Sequence, residues 1–418
     1  MPRSPGLSVC MIVKNESANL AQALEGFSSF ADEIVVVDTG SSDNTKEIAA
    51  RFTSRIYHFD WVDDFAAARN FAMSKAGKSY QLWVDADDRI TLENGRRIEA
   101  LKQQFDGKKA FYFILENHRP DCPTSRCLQI RCTPLVPHIR FEGRVHEQIF
   151  PSTVGAGLEL VTTDIVIRHM GYISEEARMA KAMRNLAIME REKAGGRDDG
   201  ALHFFMALTF APLGRRQESI RSMESALERF EKENYNHHLI PEGYLFLARL
   251  SSEMEDYDRC TRYLTRVESL VEDSPQHNFL MGLLYQRMGK HGKALGVFRK
   301  ISGRNYAPML FPTQPLPTPS ELLLHMAYSR YCMNERREAL ELINASARQG
   351  ADVGKCWEWM GAKAFVFKNT ELAALAFETA RRFGMLDPAS WRSLAAVYKL
   401  RGFRQKAEEC LVCAAGRI

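Results

Sequence analysis

Residues 80–88 read YQLWVDADD, and this stretch decides the fold class. Its apolar part, LWV, predicts a buried strand, and three of the next four residues are carboxylates, Asp85, Asp87 and Asp88. Open α/β sheets bind their ligands at the carboxyl ends of the strands. Crowded carboxylates repel each other, a bound cation relieves that repulsion, and hard oxygen ligands suit Mg²⁺ or Mn²⁺. The alternative is an acidic turn that caps the next helix.

The sequence before this stretch alternates between strand and helix patterns. The strand candidates are continuous apolar runs, as expected for strands covered on both faces. The helix candidates repeat apolar residues at helical spacing. Such alternation predicts an α/β, Rossmann-like domain with a mostly parallel sheet. The predicted strands are 7–13, 33–37 and 56–59, and the predicted helices are 17–27, 45–52 and 64–72.

Residues 110–169 are rich in strand patterns, and the sequence beyond residue 173 is helical only. Small residues recur there with spacings of 41, 34, 45, 34 and 34, and a 34-residue helix–turn–helix period is the tetratricopeptide signature. We therefore expect a domain at 1–173 and an all-α superhelix of about six repeats at 174–418, with a Pro-rich insert near 302–320. The small residues, which we expect in the core, are 207, 248, 282, 327, 361 and 395.

Composition and charge restrict the function classes only weakly. The net charge of +4 gives no argument for nucleic-acid binding, since residues 1–173 carry −2 and residues 174–418 carry +6. The nine cysteines, with Cys122, Cys127 and Cys132 spaced by five, predict reduced thiols without a zinc site. No apolar run is long enough for a membrane span or a secretory signal, which predicts a cytoplasmic bacterial enzyme.

Four short motifs occur in the order VKNE at 13–16, VDTGSSD at 37–43, DFAAARN at 64–70 and DADD at 85–88, and two later segments are RVHEQI at 144–149 and HMGY at 169–172. The four motifs resemble family 2 glycosyltransferases of the GT-A fold, and the resemblance covers residues 7–172. The two later segments and the repeat tail make the chain similar to bacterial protein glycosyltransferases, such as the sublancin-type S-glycosyltransferases and flagellin glycosyltransferases. A related branch glucosylates lipopolysaccharide core sugars and shares a Val-His-Glu segment.

The resemblance implies a nucleotide-sugar donor, with a UDP-sugar expected, and a divalent metal, Mn²⁺ or Mg²⁺. Asp87 would ligate the metal, Asp85 would share it or contact the ribose, and His169 would be a further ligand or else a strand-end histidine bonded to backbone. Asp88 is less certain, because many relatives have Glu there. The residues implied for the nucleotide-sugar site are Lys14, Asn15, Glu16, Asp38, Gly40, Ser41, Arg69, Asp85 and Ala86.

Arg69 would face the pyrophosphate or base, and the alternative is a salt bridge on the helix surface with Asp63 or Asp64. Inverting transfer needs a base on the face opposite the leaving group, and the base must reach the acceptor proton. The resemblance implies Glu147 for this role. His146 would orient Glu147, act as the base itself, or be a satisfied core histidine.

Side chains for the acceptor are harder to assign. Arg144 and Tyr172 are candidates for the acceptor site, whereas we expect Trp61 and Trp83 to be packing residues rather than sugar-stacking platforms. A protein or peptide acceptor, flagellin or a small peptide, would be presented by the repeats.

Three functions stay open on the sequence. The first is a metal-dependent inverting hexosyltransferase that modifies such a protein or peptide. The second is a transferase acting on lipopolysaccharide or another glycan, with the repeats used for assembly. The third is a nucleotide-binding scaffold without catalysis. We expect no nucleic-acid partner, and a homo-oligomer stays open.

Overall fold

The computed structural model describes residues 4–119, 122–171, 175–232, 236–304, 306, 310, 312–349, 352–384 and 386–416. The chain divides into two compact units. The first unit is Met1–Gly243 with Ala307–Thr313, and the second unit is Tyr244–Tyr306 with Gln314–Ile418.

The first unit is built on one eight-stranded sheet with the order β3-β2-β1-β4-β7-β6-β8-β5. Neighbours β3/β2, β2/β1, β1/β4 and β6/β8 are parallel, and the other three pairs are antiparallel. The sheet is therefore mostly parallel, as the strand and helix alternation predicts. The strands are β1 Ser4–Val13, β2 Glu33–Asp38, β3 Ile56–His58, β4 Lys78–Val84, β5 Asp88–Arg89, β6 Lys109–Arg119, β7 Cys122–Pro134 and β8 Glu159–His169.

The register of β1 sets the position of the motifs. Val13 of β1 pairs with Asp38 of β2, and Met11 of β1 pairs with Val84 of β4. Because these strands run parallel, the segments that follow them leave the sheet at the same edge. The residues after β1, β2 and β4 are the motif residues of the sequence.

Helices cover both faces of this sheet. Apolar residues of β1, β2 and β4 are fully buried, which explains why these strands are apolar throughout. Asp64 is the N-cap of α3 and accepts from the Ala67 N–H, which fixes where that helix begins. The helices of the first unit are α1 Leu20–Ser28, α2 Thr45–Ala49, α3 Phe65–Lys75, α4 Leu92–Leu101, α5 Phe150–Gly155, α6 Glu175–Ala194, α7 Gly200–Phe210 and α8 Arg216–Phe230.

The change to helical structure and the division into units fall at different places. The part of the chain that contains helices and no strands begins with α6 at Glu175, whereas the first unit extends to Gly243. By packing, α6 to α8 therefore group with the sheet. The domain boundary at residue 173 stays a prediction.

Ten helices follow, and they form five pairs of neighbours, of which the first begins at the end of the first unit. Glycine allows close packing within these pairs: a Cβ on Gly361 of α15 would lie 2.8 Å from the Phe377 ring of α16. All the small residues at the repeat positions are buried. With α7/α8 they make six helix pairs in the described residues. The helices are α9 Ile240–Glu253, α10 Tyr257–Leu270, α11 Pro275–Arg287, α12 His291–Ile301, α13 Pro319–Cys332, α14 Arg336–Arg348, α15 Val353–Val366, α16 Thr370–Phe383, α17 Pro388–Leu400 and α18 Arg404–Ala414.

The Pro-rich insert contributes to the first unit. Leu310 packs against an apolar cluster beside the sheet, and the Thr313 backbone N–H donates to a carboxylate oxygen of Glu242 at 2.7 Å.

The sheet and the helices together confirm the predicted fold class: an α/β domain with a mostly parallel sheet precedes a long series of helices.

Among the eight cysteines whose side chains the structure describes, none forms a disulfide bond. They include Cys410 and Cys413, a Cys-x-x-Cys pair on α18 that our interpretation of the cysteines overlooked. Within the described part of the chain, no helix has the length and apolar character needed to cross a membrane.

Candidate functional site

The loops after β1 and β2 are joined by hydrogen bonds. The Asn15 N–H donates to Ser41 Oγ at 2.9 Å, and the Ser42 N–H donates to Asn15 Oδ1 at 2.8 Å. Asn15 has a left-handed φ of 56°, which Asn tolerates better than most residues. The Glu16 N–H donates to Thr45 Oγ1 at 2.8 Å, so the first motif is fixed against the start of α2. Lys14 is exposed at this edge.

Asp38 ends β2 and its carboxylate is buried, with 1% exposure. Its oxygens accept from the N–H groups of Gly40 and Ser41 at 3.1–3.2 Å. Gly40 has φ of 100°, which a residue with a Cβ rarely adopts, so glycine is required for this turn. The turn therefore holds the Asp38 carboxylate at the sheet edge.

Asp88 is a buried residue that links two strands. Its carboxylate is bonded to Arg131 Nη1 at 2.9 Å and to His169 Nδ1 at 3.0 Å, and it accepts from the Asp85 N–H at 2.9 Å. The reason is topological, because Asp88 of β5 stands opposite His169 of β8 in the ladder. Thr91 is the N-cap of α4, so the alternative that these carboxylates cap the next helix is wrong.

Asp85, Asp87, Asp88 and His169 form one cluster, in which the nearest ligand atoms all lie within 4.8 Å of one another. Burial raises the pKa of Asp87, and the charges of Asp85 and Asp88 raise it further against the opposing effect of His169. Burial lowers the pKa of His169, but the hydrogen bond to Asp88 and the three carboxylate charges outweigh it, and the net shift is upward.

This donor set fits a divalent cation. The two oxygens of Asp88 are occupied by Arg131, His169 and the Asp85 N–H, which leaves Asp87, Asp85 and His169 as ligand candidates. Asp87 makes no arginine ion pair within 4 Å among the described residues, and His169 lies 3.4 Å from it. Carboxylates are ligands that Mn²⁺ and Mg²⁺ sites use, and His169 would add an imidazole to them. Ala86, between the ligand candidates, is buried.

Arg69 connects the cluster of Asp85, Asp87, Asp88 and His169 to the predicted base, Glu147. Its Nη2 donates to Asp85 Oδ1 at 2.8 Å, and its Nε donates to Glu147 Oε1 at 2.6 Å. The alternative of a surface salt bridge is wrong: Asp63 pairs with Arg191, and Asp64 accepts from the Ala67 N–H. Burial lowers the pKa of Arg69, but the charges of Asp85 and Glu147 outweigh burial and the net shift is upward. Arg69 therefore stays protonated.

Burial raises the pKa of the Asp85 carboxyl, but the guanidiniums of Arg69 and Arg131 outweigh burial and hold it well below its usual range. Trp83 packs against both guanidiniums, with its ring centroid 4.5 Å from Arg69 Cζ and 3.8 Å from Arg131 Cζ. Its indole N–H donates to the Ile130 carbonyl oxygen at 2.7 Å. Trp83 is thus a packing residue of the site.

His146 lies beside Glu147 in a different environment. It has a left-handed φ of 53°, and its ring stacks on Phe205 of α7 with centroids 4.7 Å apart. Burial, with a smaller contribution from Lys181, lowers its pKa to about 4, and its Nε2 is buried without a hydrogen-bond partner in the described structure. His146 is therefore a neutral imidazole with one unused ring nitrogen.

Glu147 and His146 line a cavity of about 160 Å³. Its apolar wall includes Leu128 and Ile130 of β7, and its far side is formed by residues that follow the sheet. Those residues include Met189 of α6, Leu202 and Phe205 of α7, Leu239, and Leu310 of the insert.

Of the two acceptor candidates, Arg144 lies in the described part of the chain. Arg144 is exposed, and its Nε lies 3.9 Å from Asp64 Oδ2. Tyr172 lies outside the described residues. Trp61 donates from its indole N–H to Asp63 at 2.9 Å, which supports the interpretation that it is a packing residue.

Sequence reasoning missed Arg131, whose guanidinium is buried and paired with Asp88. The signal was available: a charged residue interrupts the apolar strand pattern of LQIRC at 128–132, and a charge inside a strand needs a buried partner.

Comparison with known proteins adds the family. Residues 8–110 match the model for glycosyl transferase family 2. A TPR repeat-containing protein of Synechococcus elongatus is 34% identical over 175 residues, which cover 40% of this chain and 42% of that protein. The SPbeta prophage-derived glycosyltransferase SunS of Bacillus subtilis is 24% identical over 280 residues, which cover 64% of this chain and 63% of that protein. The chain thus spans less than two thirds of the length of either relative.

The crystal structure of a tetratricopeptide repeat protein from Parabacteroides merdae aligns with 58% of this chain and 92% of that chain, at 14% identity and a TM-score of 0.41. At so low a score, the assignment of repeats depends on the helix pairs and on the 34-residue period. With the family match at residues 8–110, these features show that the chain joins a family 2 glycosyltransferase domain to tetratricopeptide-type helix pairs.

Proposed function

We propose that this protein is a metal-dependent inverting glycosyltransferase that moves a hexose from a UDP-sugar to a protein or peptide. The observation that carries the proposal is the Arg69 bridge between Asp85 and Glu147. One buried guanidinium holds a carboxylate of the donor site and the base carboxylate in fixed positions, as a preorganised catalytic site requires.

In this proposal the nucleotide lies along the edge formed by the loops after β1 and β2. Asp38 reads the base, and Glu16 lies beside the nucleoside. Gly40 and Ser41 shape the turn, because their N–H groups fix the Asp38 carboxylate. Lys14 is exposed there and adds positive charge for a phosphate-bearing ligand.

Asp87, Asp85 and His169 would hold the divalent metal. When bound, the metal supplies positive charge for the diphosphate leaving group. Asp88 and Arg131 position these ligands, since Asp88 holds the His169 ring through Nδ1 and the Asp85 backbone through its N–H. Asp88 is thus a positioning residue rather than a ligand.

Glu147 accepts the proton of the acceptor O–H or S–H while the acceptor atom bonds to the sugar's anomeric carbon. The bond from that carbon to the diphosphate oxygen breaks, and its electron pair leaves with the nucleoside diphosphate. Arg69 holds the Glu147 carboxylate in place through a hydrogen bond from its Nε at 2.6 Å. His146 is assigned a positioning role, because its ring is stacked on Phe205 while Glu147 is bonded toward the donor site.

The apolar wall of the cavity beside Glu147 supports a peptide acceptor. Leu128, Ile130 and Phe205 would pack against an apolar side chain, and the charged and amide side chains of the lining would meet polar groups of the acceptor. An engineered apolar cavity of about 150 Å³ holds a benzene ring, so a leucine-sized side chain beside the modified residue would fit. A cytoplasmic location is part of the proposal.

The test combines candidate UDP-sugars, Mn²⁺ or Mg²⁺, and flagellin or peptide acceptors. Asp87→Ala should abolish UDP release, and Glu147→Gln should lower the transfer rate by at least about 100-fold while UDP binding persists. Asp164→Asn, at an exposed surface pair with Arg97, should leave turnover unchanged. Full turnover by Asp87→Ala would refute the metal assignment, and tight UDP binding without turnover on any acceptor would favour the scaffold alternative.

The acceptor is tested separately by filling the cavity. Leu239→Trp should lower transfer to peptides while acceptor-independent UDP release is retained. Equal transfer to a lipopolysaccharide-core acceptor before and after this change, with none to peptides, would favour the glycan alternative.

A further inference from the structure

The second unit contains a cavity of about 420 Å³ between helices α9, α11, α13 and α15. Its apolar and aromatic walls include Phe279, Leu283, Trp359 and Phe367. Two cationic side chains, Arg287 and Lys363, also line it. This combination of aromatic rings and cations distinguishes the cavity from the ordinary apolar contacts between the helix pairs.

Lys363 is the unusual group. Its Nζ lies 4.3 Å from the Phe367 ring centroid, 5.6 Å from that of Trp359 and 5.7 Å from that of Tyr328. Among the described residues, no carboxylate lies within 4 Å of Nζ. Burial, and then the charge of Arg287, hold the pKa of Lys363 well below its usual range. Surrounding rings supply only a weak substitute for a counter-ion.

Other charges at the cavity do not supply the missing partner. Arg287 lies with Cζ 5.1 Å from the Phe367 centroid and makes no ion pair in the described structure. The one carboxylate that lines the cavity, Glu253, is bonded to Arg249 at 2.8 Å. Burial holds the pKa of His325 far below its usual range, so this ring is neutral. Neither Lys363 nor Arg287 therefore has a carboxylate partner within 4 Å among the described residues.

We propose that this cavity binds an acidic side chain of a partner polypeptide, together with an apolar side chain next to it. The carboxylate pairs with Lys363 and Arg287, and the apolar side chain packs against Phe279, Leu283 and Trp359. A buried cation is costly until such a partner arrives, because nothing replaces the water that it has lost.

A side-chain carboxylate fits better than the end of a chain. Beside Lys363, the cavity is lined by the rings of Trp359 and Phe367, which offer no partners for backbone N–H and C=O groups. A glutamate or aspartate reaches that space on its own methylene groups and leaves its backbone outside. A terminal carboxylate would bring its backbone with it.

The test uses the full chain and four acetylated peptides of glycine and alanine. The first carries a central Glu-Phe pair and an amidated end, the second carries Gln-Phe, and the third carries Glu-Ala. The fourth carries Gln-Phe with a free carboxyl end. Titration calorimetry gives the affinities, and none of the peptides has a hydroxyl or thiol to receive a sugar. The result is thus independent of glycosyl transfer.

The Glu-Phe peptide should bind at least about tenfold tighter than each of the other three, since a hydrogen bond to a charged group is worth about that factor. Lys363→Gln should remove the preference for Glu over Gln, and Arg287→Gln should weaken it. Lys368→Gln, at an exposed lysine that pairs with Glu255, is the matched control and should keep it.

Equal binding of the Glu-Phe and Gln-Phe peptides would overturn the proposal, as would a preference that survives in Lys363→Gln. Tighter binding of the free carboxyl end would overturn the choice of a side chain. Thermal unfolding checks that each variant is folded. If the Lys363→Gln variant does not fold, the binding preference of the Arg287→Gln variant decides the outcome.

Discussion

The two units of the molecule bury polar groups in different ways. In the first unit, Arg131 and Asp88 are almost completely buried, and each charge faces another at 2.9 Å. In the second unit, the helix pairs are held by close packing of small residues against aromatic rings. The cation Lys363 has no carboxylate within 4 Å among the described residues.

The difference follows from what each unit has to hold. A site that gathers several carboxylates at one sheet edge must fix their positions, and buried guanidiniums do so with directional bonds. Helix pairs need only complementary shapes, which small and aromatic residues supply. Lys363, which has no carboxylate partner within 4 Å among the described residues, thus differs from the other packed residues of the second unit. We interpret Lys363 as a binding group.

The largest effect is expected from Arg131→Met, which leaves Asp88 buried without its guanidinium. The free energy of unfolding should fall by about 3–5 kcal/mol, as for other buried pairs that lose one partner. Urea unfolding measures it. Arg126→Met, on the same strand, removes an exposed guanidinium from Glu116, which keeps His118 and Arg168 as partners, and should cost less than about 1 kcal/mol. Similar values for both variants would contradict the role given to buried pairing in the first unit.

Next in size is Gly282→Ala in the second unit, where a Cβ would collide with the Phe298 ring. Overpacking of this kind costs about 1–3 kcal/mol, which thermal unfolding would show as a lower Tm. The matched change is Gly296→Ala on the neighbouring helix α12, where a Cβ meets no atom within 4 Å. That variant should gain about 0.5–1 kcal/mol from helix propensity. Equal stability of the two variants would show that close packing does not hold the pairs.

A smaller effect is expected from His146→Phe, and it depends on pH. The pKa of His146 is lowered to about 4 by burial, against about 6.5 when unfolded. The folded state therefore binds fewer protons, and stability is lost as pH falls from about 6.5 to about 4. The variant should lack about 1–2 kcal/mol of that loss and match the parent chain's slope above pH 7. His138→Phe, at an exposed histidine, should retain the full loss in unfolding measurements across this range.

The smallest effect is expected from Lys363→Met. The lost cation–π contacts and the relief of an unpaired buried cation oppose each other, so the free energy of unfolding should change by less than about 1 kcal/mol. A loss as large as that of Arg131→Met would show that Lys363 has a structural partner and would remove the contrast between the units. Urea unfolding of both variants under one set of conditions makes this comparison.

Much of the site could be predicted from residues that are close in the sequence. Asp85 and Asp87 end a strand, and parallel strands bring the residues after them to the same edge as Asp38. The motif order and the 34-residue period each depend on local patterns, and they predicted the α/β domain and the helix pairs. Glu147 and His169 were named through the resemblance of two short segments to a known family.

The relation between these segments could not be predicted in the same way. Arg69 and Glu147 are 78 residues apart, and their bond depends on the path of the chain after β7. The inward turn of Asp88 depends on the pairing of β5 with β8, and β5 has only two residues, too few for a strand pattern. The grouping of α6 to α8 with the sheet also has no local signal, because their periodicity resembles that of the later helices.

The sequence by itself therefore determined which elements form and which residues stand at their ends, because hydrophobic periodicity and turn residues act over a few positions. Only the tertiary structure decided how charge is balanced. It paired Arg69 with both Asp85 and Glu147, paired Arg131 with Asp88, and placed Phe205 and Leu310 in the wall of the cavity beside Glu147. It also left Lys363 without a carboxylate within 4 Å among the residues that the structure describes. Burial and pairing are properties of packed neighbours, and in this chain those neighbours are far apart in sequence.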